Sequence, residues 1–195
     1  MKLSFTKMHG CGNNYIYFNC FDQTVPDPAS LSVRLSEPHF GIGGDGIILI
    51  SPSDKADAQM RIFNADGSEG KMCGNGIRCV GKYLYDNGMT DGRTTITVDT
   101  LSGVKTLELT VEDGKMVSAR VDMGAAILKP ADIPVDMEGD TVIGAPIVVD
   151  EKVYHMTCVS MGNPHCVIFL DEDIDGLDLE RIGPKFEHHA LFPER

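Results

Sequence analysis

The chain has 195 residues, 42% hydrophobic and 24% charged, and its 17 Lys and Arg against 29 Asp and Glu give a formal net charge of -12. That is the composition of an ordinary globular protein, long enough for one domain and part of a second. The charge argues against a nucleic-acid partner, which needs a clustered basic face where these cations are scattered. No stretch approaches the roughly 18 apolar residues that span a bilayer, and Met1 to Lys7 carries no apolar leader core, so no membrane partner and a cytoplasmic location are expected.

Taken in chain order, strand patterning dominates. Lys2 to Met8 and Tyr15 to Phe21 read as strands around a turn at Gly10-Cys11-Gly12-Asn13. Asp27-Pro28 reads as an N-cap followed by proline at the first helical position, starting a helix that Pro38 stops near Glu37. After the glycine-rich Gly41 to Gly46, the apolar Ile47 to Ile50 and then Ala58 to Asn64 read as strands, and Ala65 to Met72 as a loop. Ile77, Val80, Leu84 and Tyr85 then form one apolar helical face on a segment opening at Cys73-Gly74-Asn75-Gly76 and ending at Gly88. Arg93 to Asp99, Val104 to Val111 and Lys115 to Asp122 alternate with period two, and Asp113-Gly114 is a hairpin turn, giving an antiparallel meander. A crossover with Gly124, Pro130 and Pro134 leads to strands at Thr141 to Val149, Val153 to Met161 and Cys166 to Leu170. The acidic Asp171 to Asp175 run is a solvated loop ahead of a short helix.

Gly41-Ile42-Gly43-Gly44-Asp45-Gly46 matches the dinucleotide-binding GxGxxG with Asp66 twenty residues on, but a helix precedes it and a strand follows, the reverse of what that motif requires. It reads as a tight turn. The six cysteines, at 11, 20, 73, 79, 158 and 166, show no CxxC and no regular framework, so reduced thiols are expected. A lone cysteine is usually a small buried hydrophobe, and Cys79 is read that way. Cys73 differs. It sits where a helix N-terminus offers amides and a positive dipole end, a setting that favours a thiolate and can hold a carboxylate beside it. Glycine at a helix start costs stability without filling space, so packing does not explain Gly74-Asn75-Gly76. A carboxylate next to a thiol suggests chemistry at an α-carbon, where inversion needs a base on one face and an acid on the other. Asn13, Asn64, Asn75 and Asn163 lie in turns and offer both donor and acceptor to a zwitterion, although asparagine is also an ordinary turn residue.

Lys7-Met8-His9-Gly10-Cys11-Gly12-Asn13, Gly41 to Gly46, Arg61 to Glu69 running into Met72-Cys73-Gly74-Asn75-Gly76, and Met161-Gly162-Asn163-Pro164-His165 resemble the diaminopimelate epimerases in order and spacing, across essentially the whole chain. The third block is the most specific, since the related proline racemases differ where Asn75 stands. The resemblance implies an α/β (α+β) fold of two similar β-barrel-like domains, each wrapped around a central helix: residues 1–123 with Cys73 at the start of its helix, and 124–195 as the first part of the second. It implies interconversion of LL- and meso-2,6-diaminopimelate by two thiols, in lysine and peptidoglycan-precursor synthesis, with neither pyridoxal phosphate nor a metal. Cys73 would be one acid/base thiol, Gly74 and Asn75 would hold the reacting carboxylate, and Asn13, Asn64 and Asn163 would bind the rest of the substrate. His165 resembles a histidine that modulates thiol acidity, against the plainer reading of a strand-start histidine. A small amino-acid substrate is the implied partner, and a second copy of the chain is a candidate one.

Two departures accompany this resemblance. Some relatives have glutamine where Gly46 stands, so that contact is absent or replaced. Leu191 to Arg195 resembles an internal family segment, after which another substrate asparagine, a Glu-Arg pair and the second catalytic cysteine are expected. The chain is therefore read as a fragment or a truncated protein, inactive alone, with uncovered apolar surface in its second domain. The alternatives are another racemase or isomerase of related fold, a non-catalytic half site, and a metal or redox module using His9, Cys11, His165 and Cys166, whose spacings fit no common zinc pattern.

Overall fold

The structure, a computed structural model, describes residues 2–194; Met1 and Arg195, the latter ending the family-like segment from Leu191, lie outside the described residues. The chain divides into two compact units, Met1–Met123 and Gly124–Arg195.

The first unit opens with β1 (Thr6–Gly10) and β2 (Asn13–Asn19), paired antiparallel with Gly10 opposite Asn13. The turn is thus only Cys11-Gly12, both left-handed at φ 53° and 86°. Such a two-residue turn matches strand twist, so the ladder runs two residues further toward the turn than the sequence predicts. At its other end the ladder begins late, because Gln23 substitutes for a strand by bonding the Ser4 N–H at 3.0 Å and the Ser4 carbonyl at 2.8 Å. Helix α1 (Pro28–Ser36) follows, capped by Asp27, whose carboxylate accepts the Ser30 N–H. It crosses to β3 (Gly46–Ser51), parallel to β2, and β4 (Ala58–Asn64) returns antiparallel. The predicted loop after β4 contains the two-residue β5 (Glu69–Gly70), folded back on Ile62 and Phe63. Helix α2 (Gly74–Asp86) comes next, and then the predicted meander, β6 (Thr95–Thr100), β7 (Gly103–Glu112) and β8 (Lys115–Val121).

The order β1-β2-β3-β4-β6-β7-β8, with β5 off β4, makes one eight-stranded sheet. Helix α2 touches β1 and β2 near one end and β7 and β8 at the other. A sheet whose two ends meet the same helix must curl around it. Ile77, Val80 and Leu84 of α2 are buried against Ile48, Met60, Ile62, Ile96 and Leu107, while α1 covers the opposite face of β2 and β3 through Leu31 and Leu35 against Ile47, Leu49 and Phe63. Burial from both sides explains why Ile47 to Ile50 is continuously apolar rather than alternating.

In the second unit β9 (Val142–Val149), β10 (Lys152–Ser160) and β11 (Pro164–Ile168) form an antiparallel sheet in the order β11-β10-β9. Its inner face, including Ile147, Tyr154, Met156 and Cys158, packs on Ile133 and Val135 beside a 3-10 turn at Pro130–Asp132, and on Ile182 of α3 (Leu179–Glu187). Its other face leaves Ile143, Val148 and Val153 exposed, with Phe169 beyond β11 at 86%. Three strands cannot close round a helix as the first sheet does.

Candidate active site

Cys73 is the N-cap of α2. Its backbone is extended (φ -139°, ψ 110°), its carbonyl accepts the Ile77 N–H at 2.9 Å, and its thiol sulfur accepts the Gly76 N–H at 3.3 Å. Serine or asparagine commonly fills this role; here a thiol does, and its sulfur is held at the helix mouth. The same sulfur lies 3.5 Å from Asn13 Oδ1, to which the thiol donates. Tyr15, two residues along β2, is buried, and its phenol is pushed up to about 12, first by burial and then by Cys73 next to it.

The β1–β2 turn approaches α2 so closely that a Cβ on Gly10 would lie 2.8 Å from the Asn75 carbonyl oxygen. Asn13, Cys73, Gly74 and Asn75 are thereby brought together. Packing does not account for Gly74, where a Cβ would meet only Met123 Cε at 4.0 Å. Contrary to expectation, packing does account for Gly76, where a Cβ would sit 2.7 Å from Ile48 Cδ1. Its absent side chain lets α2 settle onto β3.

Asn64 ends β4 opposite Gly46. Its Nδ2 donates to Ser68 Oγ at 3.0 Å, and Ser68 Oγ donates to Asp66 Oδ1 at 2.6 Å. The Ser68 hydroxyl and N–H together hold the Asp66 carboxyl below the usual carboxylate range. From α1, the buried Ser32 hydroxyl lies 2.9 Å from the Phe63 carbonyl and 2.8 Å from that of Asn64, which anchors the strand end. A side chain at position 46 is precluded by this backbone: φ is +148°, and a Cβ would lie 2.1 Å from the Phe63 carbonyl oxygen. The glutamine of some relatives therefore has no counterpart growing from the same backbone conformation here.

Asn163 and His165 belong to the second unit. Asn163 is exposed in the β10–β11 turn, its carbonyl accepting the Met161 N–H at 3.2 Å, and His165 is the exposed second residue of β11, opposite Val159. Of the other thiols, Cys79 is buried on α2 and burial raises its pKa. Cys158 and Cys166 are register partners, and both are raised, Cys158 to about 12, chiefly by burial. Raised thiols in apolar surroundings are poor acid/base groups near neutrality.

In the glycine-rich turn, the amides of Ile42, Gly43 and Gly44 donate to carbonyls of Leu35 and Ser36, and the Gly43 carbonyl accepts Lys7 Nζ at 2.6 Å. Amides spent on closing α1 are not available to a pyrophosphate. Among the described residues, no group of three or more His, Cys, Asp or Glu could hold a metal ion, and no helix is long and apolar enough to cross a membrane.

Three residues around the site escape the sequence reading. Tyr15 looks like a strand residue and nothing more. Arg78 carried a signal, because its spacing of three from Asn75 puts both on one helix face. Its Nε donates to the Gly74 carbonyl at 3.2 Å, and its Nη2 to Asn75 Oδ1 and, at 3.6 Å, to Cys11 Sγ. Ser68 carried a weaker signal, as the end of an Asp-Gly-Ser turn.

The family model described as diaminopimelate epimerase matches residues 5–129. The chain belongs to the diaminopimelate epimerase family. It is 55% identical over 193 residues to the diaminopimelate epimerase of Acetivibrio thermocellus, covering 99% of this chain and 68% of that protein, and 53% identical to that of Methanococcus maripaludis, covering 99% and 69%. Diaminopimelate epimerases are isomerases that interconvert the LL and meso forms of diaminopimelate. Among solved structures, a probable proline racemase from Agrobacterium radiobacter with bound carbonate matches with a TM-score of 0.65 at 17% identity, over 93% of this chain and 53% of that one. A hydroxyproline epimerase from Agrobacterium vitis matches with a TM-score of 0.62 at 16% identity, over 92% and 52%. At such identities these two structures support the fold, a curled mixed α+β sheet around a helix. The chain spans about half of their length.

Proposed function

We propose that the protein interconverts LL- and meso-2,6-diaminopimelate by two-base proton transfer at an α-carbon, and that the first unit supplies one face of that reaction through Cys73. The observation that carries this is the thiol at the mouth of α2, 3.3 Å from the Gly76 N–H and 3.5 Å from Asn13 Oδ1. Amides in the first turn of a helix have no partner within it, so those of Gly74 and Asn75 are suited to a carboxylate, an interaction worth roughly 0.3–1 kcal/mol at an exposed helix end. A substrate whose carboxylate docks there presents its α-carbon to the sulfur. Cys73 removes or delivers the α-proton on that face, and a second acid serves the opposite one. The Gly76 N–H is directed at the sulfur, and such a hydrogen bond is stronger to a charged acceptor than to a neutral one.

Asn13, Asn64 and Asn163 bind the remaining polar groups of the substrate in this reading, and His165 tunes thiol acidity; both assignments rest on their places in the family blocks. The reaction needs neither pyridoxal phosphate nor a metal, since the thiols move the proton and backbone amides hold the carboxylate. The protein works in the cytoplasm on a free amino acid, in lysine and peptidoglycan-precursor synthesis, with no nucleic-acid or membrane partner and a second copy of itself as a candidate partner. The test is Cys73→Ser in the intact protein. Serine keeps the N-cap acceptor, so stability and diaminopimelate binding should be retained while turnover falls at least about a hundredfold, the range in which general acid–base groups contribute. Turnover within a few-fold of the wild type would remove Cys73 from the mechanism.

A further inference from the structure

An asparagine amide is two-faced: its oxygen accepts, its nitrogen donates, and exchanging them reverses what a ligand meets. Two of the proposed substrate asparagines in the first unit have neighbours that settle this choice in opposite senses. Beside Asn75 stands Arg78, whose guanidinium has only donors, and Nη2 donates to Asn75 Oδ1. The oxygen is claimed by a cation, which leaves the Nδ2 hydrogens for other partners. The guanidinium is itself braced by the Gly74 carbonyl at 3.2 Å and Cys11 Sγ at 3.6 Å.

Beside Asn64 the polarity runs the other way. The Asp66 carboxylate can only accept, and it takes both the Ser68 N–H at 2.9 Å and the Ser68 hydroxyl hydrogen at 2.6 Å. With its hydrogen committed, Ser68 Oγ can only accept from Asn64, so Nδ2 faces it at 3.0 Å and Oδ1 is on the side of the amide away from Ser68. Each link in this relay is fixed by the one before.

We infer that Arg78 and the Asp66–Ser68 pair are positioning residues that set the hydrogen-bond polarity of the site, so that Asn75 presents donors to a substrate carboxylate and Asn64 presents an acceptor to a substrate ammonium. The inference rests on the proposal that these two asparagines touch the substrate, and it adds which end of an amino-acid centre each receives. It also supplies a reason for selectivity against a diacid without amines, which would leave the Asn64 oxygen unmatched.

The test compares binding of LL-diaminopimelate and of pimelate, the same carbon chain without amines, by NMR titration of the 195-residue chain. Ser68→Ala and Asp66→Ala should each weaken diaminopimelate about tenfold while changing pimelate less than about twofold, and Ser68→Thr should bind as the wild type does. Arg78→Gln should weaken both ligands about tenfold, and Arg78→Lys, which still offers only donors, should lose less. Without ligand, the Asn64 carboxamide proton resonances should shift in Ser68→Ala and those of Asn75 in Arg78→Gln, a change that general loosening would not confine to one side chain. Equal losses for both ligands in the Ser68 and Asp66 variants, or unchanged carboxamide resonances, would overturn the inference. If Asn64→Ala leaves diaminopimelate binding unchanged, the underlying site assignment fails instead. If Asn64→Ala weakens binding while the Ser68 and Asp66 variants do not, only the polarity argument fails.

Discussion

At the scale of single residues, the chain contains two kinds of thiol. Cys158 and Cys79 are buried, raised by that burial, and behave as core sulfur, whereas Cys73 is half-buried with a backbone amide directed at it. Tyr15 is buried beside that sulfur, and burial is the first cause of its shift. Its phenol rises from an ordinary 10.0 to about 12, so the folded state holds the proton more tightly than the unfolded state across that interval. Stability contributed by this group is complete below pH 10 and is lost as pH climbs from 10 toward 12, by on the order of 2 kcal/mol. Tyr15→Phe has no such proton, so its alkaline loss, measured by urea unfolding between pH 9 and 12, should be shallower than that of the wild type. Identical slopes would show that Tyr15 ionises as freely in the folded state as in the unfolded one.

At the scale of elements, the parallel junction of β4 and β6 is the least obvious pairing, resting on Ala58 opposite Val98 and Gln59 opposite Asp99. Asp57 fastens it. Its carboxylate takes the Thr97 N–H at 2.7 Å, the Thr97 hydroxyl at 3.0 Å and Arg93 at 2.6 Å, and the Arg93 hydrogen bond is the first cause holding this carboxyl below its usual range. A carboxylate with a lowered folded-state pKa contributes stability that is present above its unfolded value, about 3.9, and lost as pH falls through the folded one. Asp57→Asn should therefore cost about 2 kcal/mol near pH 7, the range for a charge-assisted hydrogen bond. The gap to the wild type should narrow below about pH 4, where the wild type surrenders its own charge. A gap unchanged down to pH 3, by urea denaturation, would place the cost in shape rather than charge.

At the scale of the whole molecule, the two units differ in how well they cover themselves. The first curls eight strands around α2 and lays α1 on its back, so that β2 and β3 have no apolar face in water. The second covers one face of three strands and leaves Ile143 at 68% and Phe169 at 86% exposure on or beside the other. Apolar surface of that kind seeks a partner. The 195-residue chain by itself should associate, which sedimentation or scattering will show, and a stable monomer at micromolar concentration would contradict it. Inversion also needs a second acid, and among the described residues Cys73 is the one cysteine that caps a helix: α1 and α3 begin at Asp27 and Asp178. The chain by itself is thus expected not to convert LL- to meso-diaminopimelate, and conversion at an enzyme's ordinary rate would disprove the need for a second thiol of that kind.

What the sequence by itself determined is what local chemistry encodes: Asp27-Pro28 starting a helix, the 3.6-residue stripe of Ile77, Val80 and Leu84, the period-two meander, and a cysteine followed by Gly-Asn-Gly at a helix start. The motif blocks determined the family, because several residue types at fixed spacing are hard to match by chance. Only the tertiary structure decided which groups meet. Asn13 reaches Cys73 across sixty residues because β1 and β2 dock on α2, and Gly76 is required by Ile48, which no reading of its own neighbours could show. The direction in which each asparagine turns was illegible for the same reason. An amide's polarity is set by whichever donor or acceptor the fold brings beside it, and for Asn75 and Asn64 those are the guanidinium of Arg78 and a serine already committed to a carboxylate.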